Sequence, residues 1–115
     1  MEALAALAAL SQESRLDVFR LLVQAGMDGL AAGQIGERLG LPSATLSFHL
    51  SQLKHAGLVT FRREGRSLIY VAEYAAMNGL LVYLTENCCQ GDAAGCGVGA
   101  CNSSDLARVK TGTRQ

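Results

Sequence analysis

Apolar residues recur at helical spacing through the first quarter of the chain. The segment from Met1 to Leu10 consists almost entirely of Ala and Leu, which predicts a helix that needs cover from the core or from a second subunit. The next segment predicts a second helix, because its large apolar residues fall at helical spacing: Leu16, Phe19, Leu22 and Val23. Ser11 or Ser14 is suited to cap that helix, and Gly26 is suited to end it.

Two further helices follow, joined by a tight connection. Ala31 to Leu39 predicts the third helix, which Gly40 closes, and Pro42 fits the first turn of a fourth helix that extends to about Ala56. The fourth helix has two unlike faces. One face is a leucine stripe: Leu46, Leu50 and Leu53. The opposite side carries hydrogen-bonding side chains: Ser43, Ser47, Gln52 and Lys54, with Thr45 and His49 nearby.

A β-hairpin and a last helix complete the pattern. Val59 to Arg63 and Ser67 to Val71 are rich in β-branched and aromatic residues, and the glycine between them predicts a hairpin, which Gly57 separates from the fourth helix. From Tyr74 to about Asn87, apolar residues return at helical spacing: Met77, Leu80, Leu81 and Leu84. The whole pattern predicts a mostly α fold with a small β-hairpin.

Composition sets the expected domain organisation. Half of the 115 residues are apolar, which is enough for one small domain, and pairing of two copies would add burial. We assign residues 1–89 to the folded domain and residues 90–115, rich in Gly, Ala and Ser, to a C-terminal tail that carries part of the cysteine site and is mobile except where its cysteines hold it. No apolar run has membrane-spanning length, and Met1 to Leu10 lacks a basic leader. We therefore expect a cytoplasmic protein with reduced thiols and no membrane partner.

Charge is unevenly distributed along the chain. The net charge of zero is a weak argument against a nucleic-acid partner. Between Leu41 and Val71, however, the balance is +3, because Glu64 is outnumbered by four basic residues: Lys54, Arg62, Arg63 and Arg66. A helix, a short turn, a second helix and an arginine-tipped hairpin make up the winged helix-turn-helix pattern. Such a helix fits the major groove of DNA, and a basic hairpin can contact the neighbouring phosphate backbone or minor groove.

Three motifs stand close together in this region. They are Leu46-Ser47-Phe48-His49-Leu50 with Leu53, Ala56-Gly57-Leu58-Val59, and Arg63-Glu64-Gly65-Arg66 with Tyr70. Together they resemble the ArsR–SmtB family of bacterial metal-responsive repressors, over roughly Ser11 to Cys89. The resemblance implies a winged helix-turn-helix homodimer built on the first and last helices, so that residues 1–89 serve DNA binding and dimerisation. It also implies binding to operator double-stranded DNA, repression of the protein's own resistance operon, and release when an inducer binds.

The resemblance and the helix pattern together predict the DNA contacts. Matches to the family's groove-facing and wing positions are Ser43, Ala44, Ser47, Phe48, Arg62, Arg63 and Arg66. The polar side of the fourth helix adds Thr45, His49, Gln52 and Lys54. Phe48 departs from the polar residue that is commoner in the family, and it either contacts a thymine methyl group or packs internally. For His49 we favour a structural hydrogen bond over a DNA contact, because it lies beside the leucine stripe.

Four cysteines fall within fourteen residues near the C-terminal end: Cys88, Cys89, Cys96 and Cys101. Thiolates select thiophilic ions. The Cys-x-Cys pair of one arsenic-sensing family variant has no counterpart in Leu30 to Leu39, and the last helix has no histidine for a zinc- or cobalt-type site. The segment from Leu84 to Cys89 resembles the arsenic-responsive branch of the family, whose thiols lie at the end of the last helix.

As(III) is therefore the expected inducer, held by Cys88, Cys89 and Cys96, with Cys101 as an alternative third ligand, a fourth ligand or a bystander. Adjacent residues of a helix point about 100° apart, so Cys88 and Cys89 converge only if the helix frays or ends there. The same thiolates suit Sb(III), and they also suit Cd(II), Pb(II) or zinc. Methylarsenite needs only the Cys88–Cys89 pair, and such a pair also suits redox sensing.

The predicted function is that of a metalloid-responsive repressor that leaves operator DNA when As(III) or Sb(III) binds. An enzyme, such as a thiol-based arsenate reductase, would need a cysteine of low pKa. Cys88 sits at a predicted helix C-terminus, where the helix dipole disfavours thiolate. A metallochaperone would not require the arginine-tipped hairpin. We therefore predict that the chain is not an enzyme.

Overall fold

The computed structural model describes residues 2–91. The elements of this part of the chain are α1 (Ala3–Leu10), α2 (Glu13–Ala25), β1 (Leu30–Ala31), α3 (Ala32–Leu39), α4 (Ser43–His55), β2 (Val59–Glu64), β3 (Ser67–Ala72) and α5 (Tyr74–Thr85). Short 3-10 turns occupy Gly26–Asp28 and Cys88–Gly91. The prediction of a mostly α fold with a small β-hairpin is confirmed, in the element order of a winged helix-turn-helix.

The chain divides into two compact units, and the boundary falls between Met77 and Asn78, inside α5. The first unit contains α1 to β3 and the start of α5, and the second begins with the rest of α5. Apart from Gln90 and Gly91, the predicted tail of residues 90–115 lies outside the described residues. Within residues 2–91, no helix combines the length and the apolar character needed to cross a membrane.

The core of the first unit lies where α2, α4 and the sheet meet. α2 packs against α4 and β3, and both α1 and α3 pack against α2 and α4. The largest fully buried side chains are aliphatic and come from several elements: Val18, Leu22, Ile35, Leu53 and Leu58. Burying one such side chain contributes about 1.5–3 kcal/mol. The predicted leucine stripe of α4 is buried here, so α4 is held by one face.

One face of α2 differs from the prediction. Leu16 is 41% exposed, whereas Val18, two residues later, is fully buried. Both residues are compatible with a helical spacing that includes Phe19 and Leu22, so the spacing alone does not determine which of the two is buried. Packing of α2 against α4 and β3 selects the side that carries Val18.

The predicted caps of two helices were wrong in detail. Gln12 caps α2, because its side-chain oxygen accepts from the Arg15 backbone N–H at 2.9 Å. Ser11 instead closes α1 by donating its hydroxyl hydrogen to the Ala8 carbonyl at 2.8 Å, and Ser14 lies inside α2. Pro42 precedes the first turn of α4 as its N-cap residue, with φ −62° and ψ 150°.

The sheet contains a strand that the sequence did not predict. β1 is two residues long and pairs antiparallel with β3, with Leu30 opposite Tyr70, so the strand order is β1-β3-β2. The alternation that identifies a strand cannot be seen over two residues. The predicted hairpin is confirmed with each strand one residue longer, and its loop is Gly65-Arg66 with φ +63° at Gly65.

A Schellman motif ends α4 and starts β2. Gly57 has φ +81°, and its N–H donates to the Lys54 carbonyl at 3.0 Å. The N–H of Leu58 donates to the Leu53 carbonyl, also at 3.0 Å. Leu58 is buried directly after this turn. The predicted stop at Gly57 is therefore confirmed, and the motif fixes the direction in which the hairpin leaves α4.

Gly29 brings the chain from the first 3-10 turn onto the sheet. Its φ is +69° and its ψ is −172°, and a Cβ at this position would lie 2.5 Å from the Tyr70 carbonyl oxygen. Gly26 has a similar backbone, with φ +74° and ψ −163°, but no atom of the described residues lies within 4 Å of its Cβ position. The two glycines therefore share a conformation and differ in how closely β3 approaches.

Replacing Gly29 by Ala should destabilise the protein more than replacing Gly26 by Ala. Both variants place a Cβ on a backbone that only glycine readily adopts, which costs about 1–3 kcal/mol. Only Gly29→Ala also forces that atom against the Tyr70 carbonyl. Urea unfolding followed by circular dichroism measures the free energy of unfolding of both variants. Equal destabilisation of the two would show that the approach of Gly29 to β3 does not constrain the sheet.

Candidate nucleic-acid interface

The face of α4 opposite the leucine stripe is open to solvent. Leu46, Leu50 and Leu53 are buried, which turns the rest of the helix outward. The predicted contact residues of α4 that lie exposed are Ser43, Ala44, Thr45, Ser47, Phe48, Gln52 and Lys54. The structure therefore brings seven of the eight predicted α4 residues to one accessible surface.

The sequence interpretation missed Ser51 and His55, which are also exposed on α4. Both follow Ala44 and Phe48 at the spacing i, i+4, i+7 and i+11, which places the four residues on one side of a helix. That spacing was visible in the sequence. The prediction used the family match and the polar residues opposite the leucine stripe, and it did not continue the spacing of Ala44 and Phe48 to the end of the helix.

His49 is the predicted contact residue that the structure places inside. It is 7% exposed, and its Nδ1 lies 3.4 Å from Nη1 of Arg15 on α2. Burial and, second, the nearby Arg15 guanidinium lower the pKa of His49 below its usual value. This arrangement fits the structural hydrogen bond that we favoured for His49, and we leave it out of the exposed surface.

Phe48 lies on the outside of α4. Its side chain is 56% exposed, so the alternative of internal packing does not describe it. An exposed aromatic ring among serines can contact the methyl group of thymine. Phe48 therefore stays a candidate for base contact.

The hairpin β2–β3, which we call the wing, divides its arginines between two roles. Arg62 donates from Nη1 to the Met27 carbonyl at 3.1 Å and from Nη2 to the Asp28 carbonyl at 2.9 Å. Its Nε also forms an ion pair with the Glu64 carboxylate at 2.7 Å. The guanidinium of Arg62 thus fastens β2 to the turn before β1.

Arg63 and Arg66 remain available to a partner. Both are exposed, and within residues 2–91 neither side chain forms a hydrogen bond or an ion pair. Lys54 of α4 is also exposed, and its Nζ lies 5.3 Å from the centre of the Phe61 ring on β2. Cationic groups therefore extend from the end of α4 to the tip of the wing, the distribution that phosphate binding needs.

The end of α5 shapes the backbone around the first two cysteines. α5 stops at Thr85, two residues before the predicted end, and both Asn87 and Cys89 have positive φ, 57° and 56°. Cys88 and Cys89 therefore lie beyond the regular helix. The sequence indicated that the two thiols can converge on one ion only in that case.

The thiols themselves differ in environment. Cys88 is half-buried and disulfide-bonded, and Cys89 is exposed with a free thiol. Cys96 and Cys101 lie outside the described residues. Within the part of the chain that the structure describes, no three His, Cys, Asp or Glu residues gather as they would around a metal ion. The predicted three-thiolate site stays a prediction, and it concerns the reduced protein.

Known proteins resemble this chain in sequence and in fold. A family model described as a helix-turn-helix domain matches residues 10–61. The structure of HlyU from Vibrio cholerae N16961 is 35% identical, has a TM-score of 0.57, and is aligned over 71% of this chain and 89% of that chain. Curated HlyU is described as a transcriptional activator. The curated proteins that match are aligned over 58% to 87% of their own length.

Two further solved structures are described as ArsR-like or possibly ArsR-family. The ArsR-like transcriptional regulator from Rhodococcus sp. RHA1 is 27% identical, with a TM-score of 0.66 and alignment over 94% of this chain and 89% of that chain. The homodimeric winged helix-turn-helix domain of Mb0332 from Mycobacterium bovis is 30% identical, with a TM-score of 0.58, over 73% of this chain and 78% of that chain.

The matches to HlyU and Mb0332 reach 30% identity or more over more than two thirds of those chains, and Mb0332 is described as a winged helix-turn-helix domain, the fold found here. The chain therefore belongs to the ArsR-like family of winged helix-turn-helix transcriptional regulators, and it is a DNA-binding regulator.

Proposed function

We propose that the protein is a dimeric repressor that holds operator DNA with α4 and the wing and releases it when As(III) binds its C-terminal thiolates. The observation that carries the DNA-binding part is the exposed face of α4 beside two wing arginines, Arg63 and Arg66, that have no partner within residues 2–91. Small polar side chains on such a helix reach base edges in the major groove, and arginines of the wing contact phosphates.

Dimerisation is supported by exposed apolar side chains on α1 and α5, the first and last α-helices of the described residues. On α1 they are Leu4 and Leu7, and on α5 they are Leu81, Val82, Tyr83 and Leu84, which are 42% to 60% exposed. A second copy would remove these side chains from water. The solved Mb0332 domain is itself homodimeric. To read successive major grooves, the symmetric pair would need its two copies of α4 about 34–36 Å apart, one turn of DNA.

The arsenic part of the proposal depends on the sulfur chemistry of the chain end. Three thiolates suit As(III) or Sb(III), and because α5 ends at Thr85, Cys88 and Cys89 lie outside its regular geometry and are able to approach one ion. Cys96 would complete the site, with Cys101 as the alternative. Binding requires reduced Cys88. Because the site adjoins α5, fixing the chain there would change the dimer interface and with it the spacing of the two α4 helices.

A redox-responsive regulator is the second candidate, and the disulfide state of Cys88 beside the free thiol of Cys89 favours it. In that case the switch would be the oxidation of thiols. The two candidates share the DNA interface and differ in the signal, so the same binding assay separates them.

Arg66→Ala should weaken operator binding without lowering fold stability. Because Arg66 lies exposed at the wing tip, the free energy of unfolding should change by less than about 0.5 kcal/mol. The slope of log affinity against log salt should fall by about 1 for each phosphate that the variant no longer neutralises. Fluorescence anisotropy with a duplex selected by the full chain from a random pool measures the affinity and the salt slope, and urea unfolding measures the stability.

Arg62→Ala is the matched variant for this test. Its guanidinium holds three groups within the protein, so its removal should lower the free energy of unfolding by about 1 kcal/mol. An Arg66→Ala variant with unchanged affinity and unchanged salt slope would show that the wing does not contact the DNA backbone.

Arsenite should release the reduced protein from the selected duplex, and Cys88→Ser or Cys89→Ser should abolish that release while leaving arsenite-free affinity intact. X-ray absorption should count three sulfur atoms around bound arsenic. Cys96→Ser and Cys101→Ser identify the third ligand, because only one of them should lower the sulfur count. If reduced protein ignores arsenite and a thiol oxidant releases DNA, the redox candidate replaces the arsenic one.

A further inference from the structure

His49 and Arg15 form a polar contact in the interior of the first unit. Among the described residues, His49 is the one buried polar or charged side chain. It lies on α4, between the leucines that attach this helix to the core, and Nη1 of Arg15 approaches its Nδ1 to 3.4 Å. α2 packs against α4 across this contact. A buried polar group in a leucine-lined face needs such a partner to offset its desolvation.

Arg15 also reaches the end of α1. Its Nε donates to the Ala9 carbonyl at 2.7 Å, near the C-terminus of that helix, where a cation is favoured by the helix dipole. The backbone N–H of Arg15 is held by the Gln12 cap. One side chain therefore connects three helices: α1 through Ala9, α2 through its own backbone, and α4 through His49.

The contact requires neutral His49. An imidazole nitrogen accepts a hydrogen bond from a guanidinium only when it has no hydrogen of its own, so the geometry assigns the tautomer with Nε2–H. Protonation would put an N–H at Nδ1 and set two cations against each other at 3.4 Å. Burial and the Arg15 charge accordingly lower the pKa of His49.

Arg15 is the charge that acts on His49. α1 has no charged residue between Ala3 and Leu10. α3 and β2 also pack on α4, but their charges at Glu37, Arg38 and Arg62–Glu64 are not among the causes of the lowered pKa of His49. Acid should therefore act on this contact through His49 itself.

We propose that the Arg15–His49 contact is a pH-sensitive link that positions α4 for DNA, so that acidification breaks the link and weakens operator binding. This inference rests on the proposed use of α4 as the DNA-reading helix. Neighbours of His49 on α4, among them Phe48 and Gln52, form the exposed face, so a shift of the helix at His49 moves the groups that meet the bases. Both residues are positioning residues, since neither reaches the exposed face.

His55 supplies a control of opposite sign. The chain has two histidines, both on α4, and His55 is exposed on the proposed DNA face. Protonating an exposed histidine near phosphates adds a favourable charge and should strengthen binding at low pH. Protonating His49 opposes its contact with Arg15 and should weaken binding. The direction of the pH effect on operator affinity therefore shows which of the two histidines is responsible for it.

The test measures operator affinity of the full chain from pH 8 to pH 5 at constant salt, beside an NMR titration of both imidazoles in the DNA-free protein. Affinity should fall on acidification, by up to about tenfold per pH unit for each proton taken up. The midpoint of that fall should coincide with the titration of His49. His55→Gln should keep the fall, whatever its affinity at pH 8.

Arg15→Gln and His49→Gln test the link directly. Each should lower affinity at pH 8 and flatten the acid fall, and Arg15→Gln should also raise the pKa of His49 in the NMR titration because the guanidinium is gone. If affinity rises on acidification, if its midpoint follows His55, or if the Arg15→Gln profile matches that of the unmodified protein, the link does not control DNA binding. Absence of DNA binding at every pH would instead overturn the proposed function, with the NMR titration still reporting the contact.

Discussion

The attachment of α4 by a single face is the constraint on which the rest depends. Leu46, Leu50 and Leu53 go into the core, where α1, α2, α3 and β2 all pack against this helix. Because the helix is held by this buried face, its opposite face is presented to solvent. The Schellman turn at Gly57 then carries this orientation to the wing, because it sets where β2 begins.

Periodicity predicted most of this arrangement, because the elements that matter are long enough to show a pattern. The leucine stripe of α4, its stop at Gly57 and the hairpin were read correctly from spacing and turn residues. Which apolar residues are buried was harder to predict. Leu16 and Val18 are both compatible with the apolar spacing of α2, and only packing against the neighbouring elements determines that Val18 is the buried one. β1 was missed since two residues carry no alternation, and its place is set by the approach of Gly29 to β3.

The spacing of residue types along the chain could not predict which charged and polar side chains make contacts inside the protein. Arg62 looks like its neighbours Arg63 and Arg66 in the sequence, yet it bonds to the carbonyls of Met27 and Asp28, about 35 residues away. His49 sits beside exposed serines, yet it faces Arg15 across a gap of 34 residues. Such partners come from tertiary packing, so a family match or a helix pattern identifies the segment and leaves the role of each side chain open.

The two-residue strand β1 has a consequence for how the protein can associate. It pairs with Ile69 and Tyr70 of β3 and forms a very short outer strand on that side, while β2 is the outer strand on the other side. That strand carries Arg62, Arg63 and Glu64 in succession, and charged side chains on an outer strand discourage a foreign strand from adding to it. One outer strand of the described sheet is thus very short and the other is charged, and both features disfavour self-association that extends the sheet.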